Sequence, residues 1–164
     1  MEIWDVILPE QKLKYFDGRF SAVFSCNGET VEYSSNQMSD GERAVLYLAA
    51  QVLCVPANKT LIIDEPEAHL HPQWIVEYAR MIVLLHKEIG VKFFVASHST
   101  DMISAIRYIA AKEEVQDKLN FYLAEDSEGT PYEYTYRDLG LDIDPIFKSF
   151  NKSLDKIDEY GVCE

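Results

Sequence analysis

Thr60-Leu61-Ile62-Ile63-Asp64-Glu65-Pro66 is the stretch that decides how this 164-residue chain is read. Residues 60–63 form a short run without a charged side chain, the pattern of a strand covered on both faces, as in a parallel sheet. Two acids follow at once. At the C-terminal edge of a parallel sheet, where α/β proteins bind ligands, the first carboxylate can hold Mg2+, usually through water. The second can orient or deprotonate an attacking water. Taken alone, the same residues also describe a strand that ends in an acidic turn.

The flanking sequence supports a parallel sheet. Pro72 opens a helix that carries Ile75, Tyr78, Ala79 and Ile82 on one face and stops at Gly90. Residues 91–96 are a second apolar strand, and 100–111 a further helix. Strand, helix, strand, helix is the order of an α/β fold with crossover helices. Upstream, a helix is expected over 39–55, because Ser39 and Glu42 have the form of a capping box. Val45, Leu48, Ala49 and Val52 then follow at helical spacing, and Pro56 and Asn58 end the run.

The ends of the chain read as antiparallel. Lys14-Tyr15-Phe16 precedes Asp17-Gly18, residues 20–24 precede Asn27-Gly28, and 30–33 complete a small meander. Residues 119–124 and 132–136 flank a polar turn at 125–131 and read as a hairpin or edge extension. A terminal helix is expected over 144–160, with Asp144 as its N-cap. One domain over 1–164 is expected, divided into a meander at 12–35, a core at 36–111 and a hairpin with terminal helix at 119–164.

Two further motifs bracket the acid pair. Met38-Ser39-Asp40-Gly41-Glu42-Arg43 begins the first long helix, whose N-terminus offers unpaired N–H groups and a positive dipole to an anion. Ser39 adds a hydroxyl, and Gly41 lets a phosphate approach the backbone. A plain capping box reads the same way. Downstream, the second apolar strand ends at Ala96-Ser97-His98-Ser99, where a histidine serves either structure or chemistry.

Taken in order, these motifs resemble those of ABC-type ATPases. The Ser39 motif is similar to the ABC signature, Asp64-Glu65 to a Walker B acid with its adjacent catalytic glutamate, and His98 to the switch histidine that contacts the γ-phosphate. Glu65-Pro66-Glu67-Ala68-His69-Leu70-His71-Pro72 resembles the D-loop of the RecF-like and OLD-like members of the SMC and recombination-repair group. Transporter ATPases more often carry Ser-Ala-Leu-Asp there. The alternative role of His69 and His71, as metal ligands together with His98, is disfavoured because Leu70 and Pro72 fit the loop without a metal. The resemblance is clearest over 36–103 and more general over 12–136.

The resemblance implies a partial P-loop NTPase fold, the C-terminal lobe of an ATPase head. Asp64 would help to hold Mg2+ through water and Glu65 would activate water, with His98 sensing the γ-phosphate of ATP. Ser39, Asp40, Gly41 and Glu42 would face a partner's nucleotide, with Glu67, His69 and His71 at the interface between heads. No Gly-x-x-x-x-Gly-Lys-Ser/Thr occurs, and none of the seven glycines precedes a lysine. The phosphate-binding Walker A loop is expected from a missing N-terminal lobe, so the chain reads as an excised portion or as a product that lost its first half. Asp142-Ile143-Asp144 has the spelling of a Toprim metal motif, but too few residues surround it for that fold.

Composition sets the remaining limits. At 48% apolar and 26% charged, the chain is globular and long enough for one core. A net charge of −13 argues against this lobe alone gripping nucleic acid, since that requires clustered Lys and Arg. DNA contact through a full-length protein stays open. Cys26, Cys54 and Cys163 have neither metal-ligand nor redox-pair spacing and read as reduced thiols. No run is long enough to span a bilayer and no signal pattern follows Met1, so a cytoplasmic location without membrane contact is expected.

Overall fold

The computed structural model describes residues 11–16, 19–26, 29–54, 60–127 and 133–161. The chain divides into two compact units, Met1–Ile106 and Arg107–Glu164.

The first unit begins with β1 (Gln11–Phe16), β2 (Arg19–Cys26) and β3 (Glu29–Ser34), an antiparallel meander in the order β1-β2-β3. Its two expected turns, at 17–18 and 27–28, lie outside the described residues. A short 3-10 turn at Ser35–Gln37 leads to helix α1 (Asp40–Cys54). Strand β4 (Thr60–Asp64), helix α2 (Pro72–Ile89) and strand β5 (Lys92–Ala96) follow, and β4 pairs parallel with β5 across the α2 crossover. Helix α3 (Thr100–Lys112) comes next, and the division between the units falls within it.

Burial explains why these segments are helices. Val45, Leu46, Leu48, Ala49 and Val52 of α1 are buried, as are Ile75, Tyr78, Ala79 and the run from Met81 to Leu85 of α2. Helix α2 is bounded by local chemistry. Pro72 occupies its first position, where the missing N–H is not needed. Gly90 closes it in the left-handed region at φ 74°, donating its N–H to the His86 carbonyl.

The α1–α2 contact explains a glycine. Gly41, in the first turn of α1, is buried against the indole of Trp74, and a Cβ at position 41 would overlap that ring. Whatever else the glycine does, its small size is demanded by packing.

The sheet departs from expectation in one respect. An apolar run such as 60–63 predicts burial on both faces, but exposure alternates along both strands. Leu61, Ile63, Phe93 and Val95 are half-buried, whereas the cross-strand neighbours Ile62 and Phe94 are 73% and 57% exposed. Helix α2 packs against β5, and among the described residues one face of the strand pair is half-buried while the other is exposed.

The second unit holds β6 (Phe121–Asp126) and β7 (Tyr134–Gly140), an antiparallel hairpin, and helix α4 (Asp144–Gly161). Both strands lie about two residues beyond their expected starts. Glu125 and Asp126, which look like turn residues, continue the ladder because Glu125 pairs with Arg137 at 3.4 Å and Asp126 is on an exposed face. Part of the expected turn, residues 128–132, lies outside the described residues. Asp144 is a correction: it is the first helical residue and not the cap, since the Ile143 carbonyl accepts from the Ile146 and Phe147 N–H groups. The capping oxygen belongs to Asp142, whose Oδ1 accepts the Asp144 N–H at 3.0 Å. Among the described residues no helix is long and apolar enough to cross a membrane.

Two outcomes are expected from this packing. Gly41→Ala will destabilise the fold by about 1–3 kcal/mol through overpacking, despite the better helix propensity of alanine. Urea unfolding of Gly41→Ala, Trp74→Leu and the double variant checks this; strict additivity would refute the clash. Burial raises the Tyr78 phenol to about 12. The neutral form is thus favoured in the fold, and its share of stability is present below about pH 10. That share is lost as pH rises toward the folded value. Spectrophotometric titration should show that Tyr78→Phe removes a tyrosine that ionises near pH 12.

Candidate functional site

The site is built where β4 and β5 end together. The parallel register sets Asp64 opposite Ala96, and the ladder extends one residue further, the Glu65 N–H donating to the Ala96 carbonyl at 2.8 Å. The acid pair and the Ser97-His98 segment therefore leave the sheet side by side at its C-terminal edge. His98 Nε2 lies 3.6 Å from Glu65 Oε1, with the side chains 81% and 55% exposed. At that exposure the pair adds little to stability, so its interest is chemical.

The backbone after β4 is folded back by two successive tight turns. The Ala68 N–H donates to the Glu65 carbonyl and the Leu70 N–H to the Glu67 carbonyl, both at 2.9 Å. Such a path demands left-handed backbone at non-glycine residues: Glu65 has φ 45° and His69 φ 67°. Each costs of the order of 1 kcal/mol, and strain of this kind concentrates at functional sites. His71 ends the loop as the N-cap of α2, its Nδ1 accepting the Gln73 N–H at 3.4 Å.

Glu67 turns inward. Its Oε1 accepts from Ser97 Oγ at 2.7 Å and from the His98 N–H at 2.8 Å, tying the acidic loop to the histidine loop. Its Oε2 is buried without a hydrogen-bond partner among the described residues. Ser97 Oγ also accepts the Ser99 N–H at 3.1 Å, and Ser99 Oγ accepts the Met102 N–H at 3.2 Å at the start of α3.

The Ser39 turn is placed at the head of α1. Ser39 and Glu42 form the capping box in full. The Ser39 N–H and hydroxyl both donate to Glu42 Oε2 at 2.8 Å, and Ser39 Oγ accepts the Glu42 N–H at 3.3 Å. Asp40 pairs with Arg43. The turn is thus rigid and exposed at Ser39 and Asp40, while Gly41 is closed off by Trp74.

The structure therefore brings Glu65, Glu67 and His98 together with Asp64 at one sheet edge. His71 is used locally as a cap, and His69 lies on the exposed outer turn. Sequence reading passed over the roles of Ser97 and Trp74. Ser97 adjoins a histidine already singled out, but its partner is 30 positions away. Nothing in the spacing of Trp74 points to Gly41.

For a divalent cation, Asp64 and Glu65 offer oxygen donors alone, which suits hard Mg2+. Among the described residues, no three His, Cys, Asp or Glu side chains converge into a ready-made metal cage. The set fits an ion that keeps most of its waters and takes other ligands from a bound phosphate.

Comparison with known proteins bears on the family and the fold. The energy-coupling factor transporter ATP-binding protein EcfA2 of Clostridium perfringens (strain SM101 / Type A) is 32% identical over 66 residues, 40% of this chain and 22% of that protein. The protein MJECL11 of Methanocaldococcus jannaschii is 29% identical over 91 residues, 56% of this chain and 78% of that protein. The chain spans about a quarter of the length of the transporter-type relatives it matches. A chain from a structural study of ATP-driven dimerization and DNA-stimulated activation of SMC ATPases superposes with a TM-score of 0.57. That match has 16% identity and covers 92% of this chain and 85% of that one. The fold is thus the α/β fold of a P-loop NTPase, in part, with parallel strands, crossover helices and an antiparallel hairpin. Residues 5–104 match the family described as "AAA domain, putative AbiEii toxin, Type IV TA system", and the chain belongs to that family of ATPase-type domains.

Proposed function

We propose that this chain is the C-terminal lobe of an ATPase head and supplies one half of an ATP-hydrolysing site. The observation that carries the reading is the meeting of Glu65 and His98 at the ends of two neighbouring parallel strands. A phosphate-binding Walker A loop, which the sequence lacks, would come from an N-terminal lobe. The exposed Ile62 and Phe94 on one face of the β4–β5 pair support a docking surface for that lobe, since apolar faces in solvent are costly and adhesive.

Within the completed site each residue has a distinct task. Asp64 would help to hold Mg2+, which when bound would supply charge neutralisation at the transferring phosphate. Glu65 orients the attacking water and accepts its proton. His98, within reach of Glu65, contacts the γ-phosphate and reports its presence. Ser39 and the N-terminal amides of α1 face the nucleotide of a second head, so that ATP joins two heads and hydrolysis releases them. Family membership supports a place in a DNA-maintenance or phage-defence machine, with any nucleic acid held by other parts of the full-length protein.

The transporter-type relatives favour a second reading, an ATPase subunit that serves a membrane permease. Stable association of the full-length protein with a permease would support it over the first. A non-catalytic module that offers only the Ser39 face to an ATPase partner would form the same complexes, but without any need for Glu65.

Hydrolysis separates the two ATPase readings from the non-catalytic one. Alone, the chain is expected to bind Mg-ATP weakly or not at all in calorimetry, because most phosphate affinity in such enzymes comes from the Walker A loop. Joined to a Walker A-bearing lobe, it should turn over ATP, and Glu65→Gln should lower kcat by about 100-fold or more while leaving ATP binding intact. Retained turnover in Glu65→Gln would remove Glu65 from the mechanism.

A further inference from the structure

We infer that Glu67 is a positioning residue that sets the place of His98 relative to Glu65 from within the same chain. The inference rests on the proposed ATPase reading for its chemistry, while its geometry stands by itself.

His98 needs such a device. Its ring is 81% exposed and its ion-pair distance to Glu65 is a loose 3.6 Å, so neither packing nor this charge holds it firmly. The segment that carries it, 97–99, is neither strand nor helix. Its backbone is held by Glu67, whose single oxygen Oε1 accepts both the His98 N–H at 2.8 Å and the Ser97 hydroxyl at 2.7 Å. These are the short lengths of charge-assisted bonds. Ser97 Oγ passes the restraint on by accepting the Ser99 N–H at 3.1 Å.

The other end of the tie is equally defined. Glu67 sits between two interlocked turns, Glu65 to Ala68 and Glu67 to Leu70, so its backbone is fixed two residues after Glu65. Glu65 in turn is bonded to Ala96, the residue before Ser97. The result is a closed ring, with one backbone bond at residue 65 and two side-chain bonds at residue 67, all onto 96–98. Within it the backbones of Glu65 and His98 are held in a fixed relation, which sets where the carboxylate and the imidazole meet. The buried Oε2, without a partner among the described residues, makes the arrangement costly, so Glu67 is not there to satisfy its own carboxyl.

Residue-resolved amide hydrogen exchange on this chain tests the assignment, with Glu67→Ala, Glu67→Gln and Ser97→Ala as variants. In Glu67→Ala the His98 amide should lose protection by about tenfold or more, while amides of α2 near Leu85 keep theirs. The His98 ring proton resonances should shift in the same variant. Glu67→Gln, which retains an acceptor oxygen, should recover most of the His98 protection. Ser97→Ala should lower protection at Ser99 with Glu67 still in place, which keeps the test open if Glu67→Ala does not fold. Unchanged His98 protection and ring signals in Glu67→Ala would overturn the inference. So would a proportional loss of protection in α2, the mark of a general stabiliser. In the enzyme joined to its Walker A-bearing lobe, Glu67→Ala should lower kcat with KM for ATP unchanged. Absence of turnover in the unsubstituted joined enzyme would instead overturn the ATPase reading and leave the exchange result to decide the role of Glu67.

Discussion

The parallel pairing of β4 with β5 is the constraint on which the rest of the molecule depends. Parallel strands cannot be joined by a tight turn, so the chain between them must travel back along the sheet, and α2 is that return path. The same pairing makes both strands end at one edge. Register sets Asp64 opposite Ala96, and one further bond, from the Glu65 N–H to the Ala96 carbonyl, places the two following loops next to each other. A shift of register by one residue would exchange the faces of Ile62 and Ile63 and move Glu65 away from His98.

Around this edge the molecule spends stability in a pattern that suits chemistry. Glu65 and His69 hold left-handed backbone, and Glu67 buries an oxygen that has no partner among the described residues. These costs are offset in the helical layer, where eight residues of α2 are buried, with Leu85 at 0% exposure and Met81 at 2%. The division of labour is physical: apolar burial is non-directional and tolerates strain elsewhere, whereas hydrogen bonds at the loops fix directions.

The exposed Ile62 and Phe94 tell a related story. Strand residues of this size gain free energy by burial, roughly 1.5–3 kcal/mol for a full side chain, and here they gain little of it. Their strands are written for a sheet with two covered faces, but among the described residues only one face is covered. The match to its transporter-type relatives likewise spans only about a quarter of their length.

The sequence by itself determined the elements whose causes are local. Pro72 and Gly90 bound α2, Ser39 with Glu42 caps α1, and the order of apolar runs and amphipathic helices gives a parallel pair with crossover. It also marked Asp64, Glu65 and His98, because acids and a histidine directly after apolar strands fall at a sheet edge whatever the surroundings. Local signals misplaced the β6–β7 boundaries and the cap of α4, where a cross-strand Arg137 and the neighbouring Asp142 outweigh propensity. Only the tertiary structure decided which face of β4 stays in solvent, why residue 41 must be glycine, and that Glu67 turns inward to hold His98. Each of these rests on contacts between residues some 30 positions apart, and a contact at that distance leaves no period or spacing in the sequence from which it could be read.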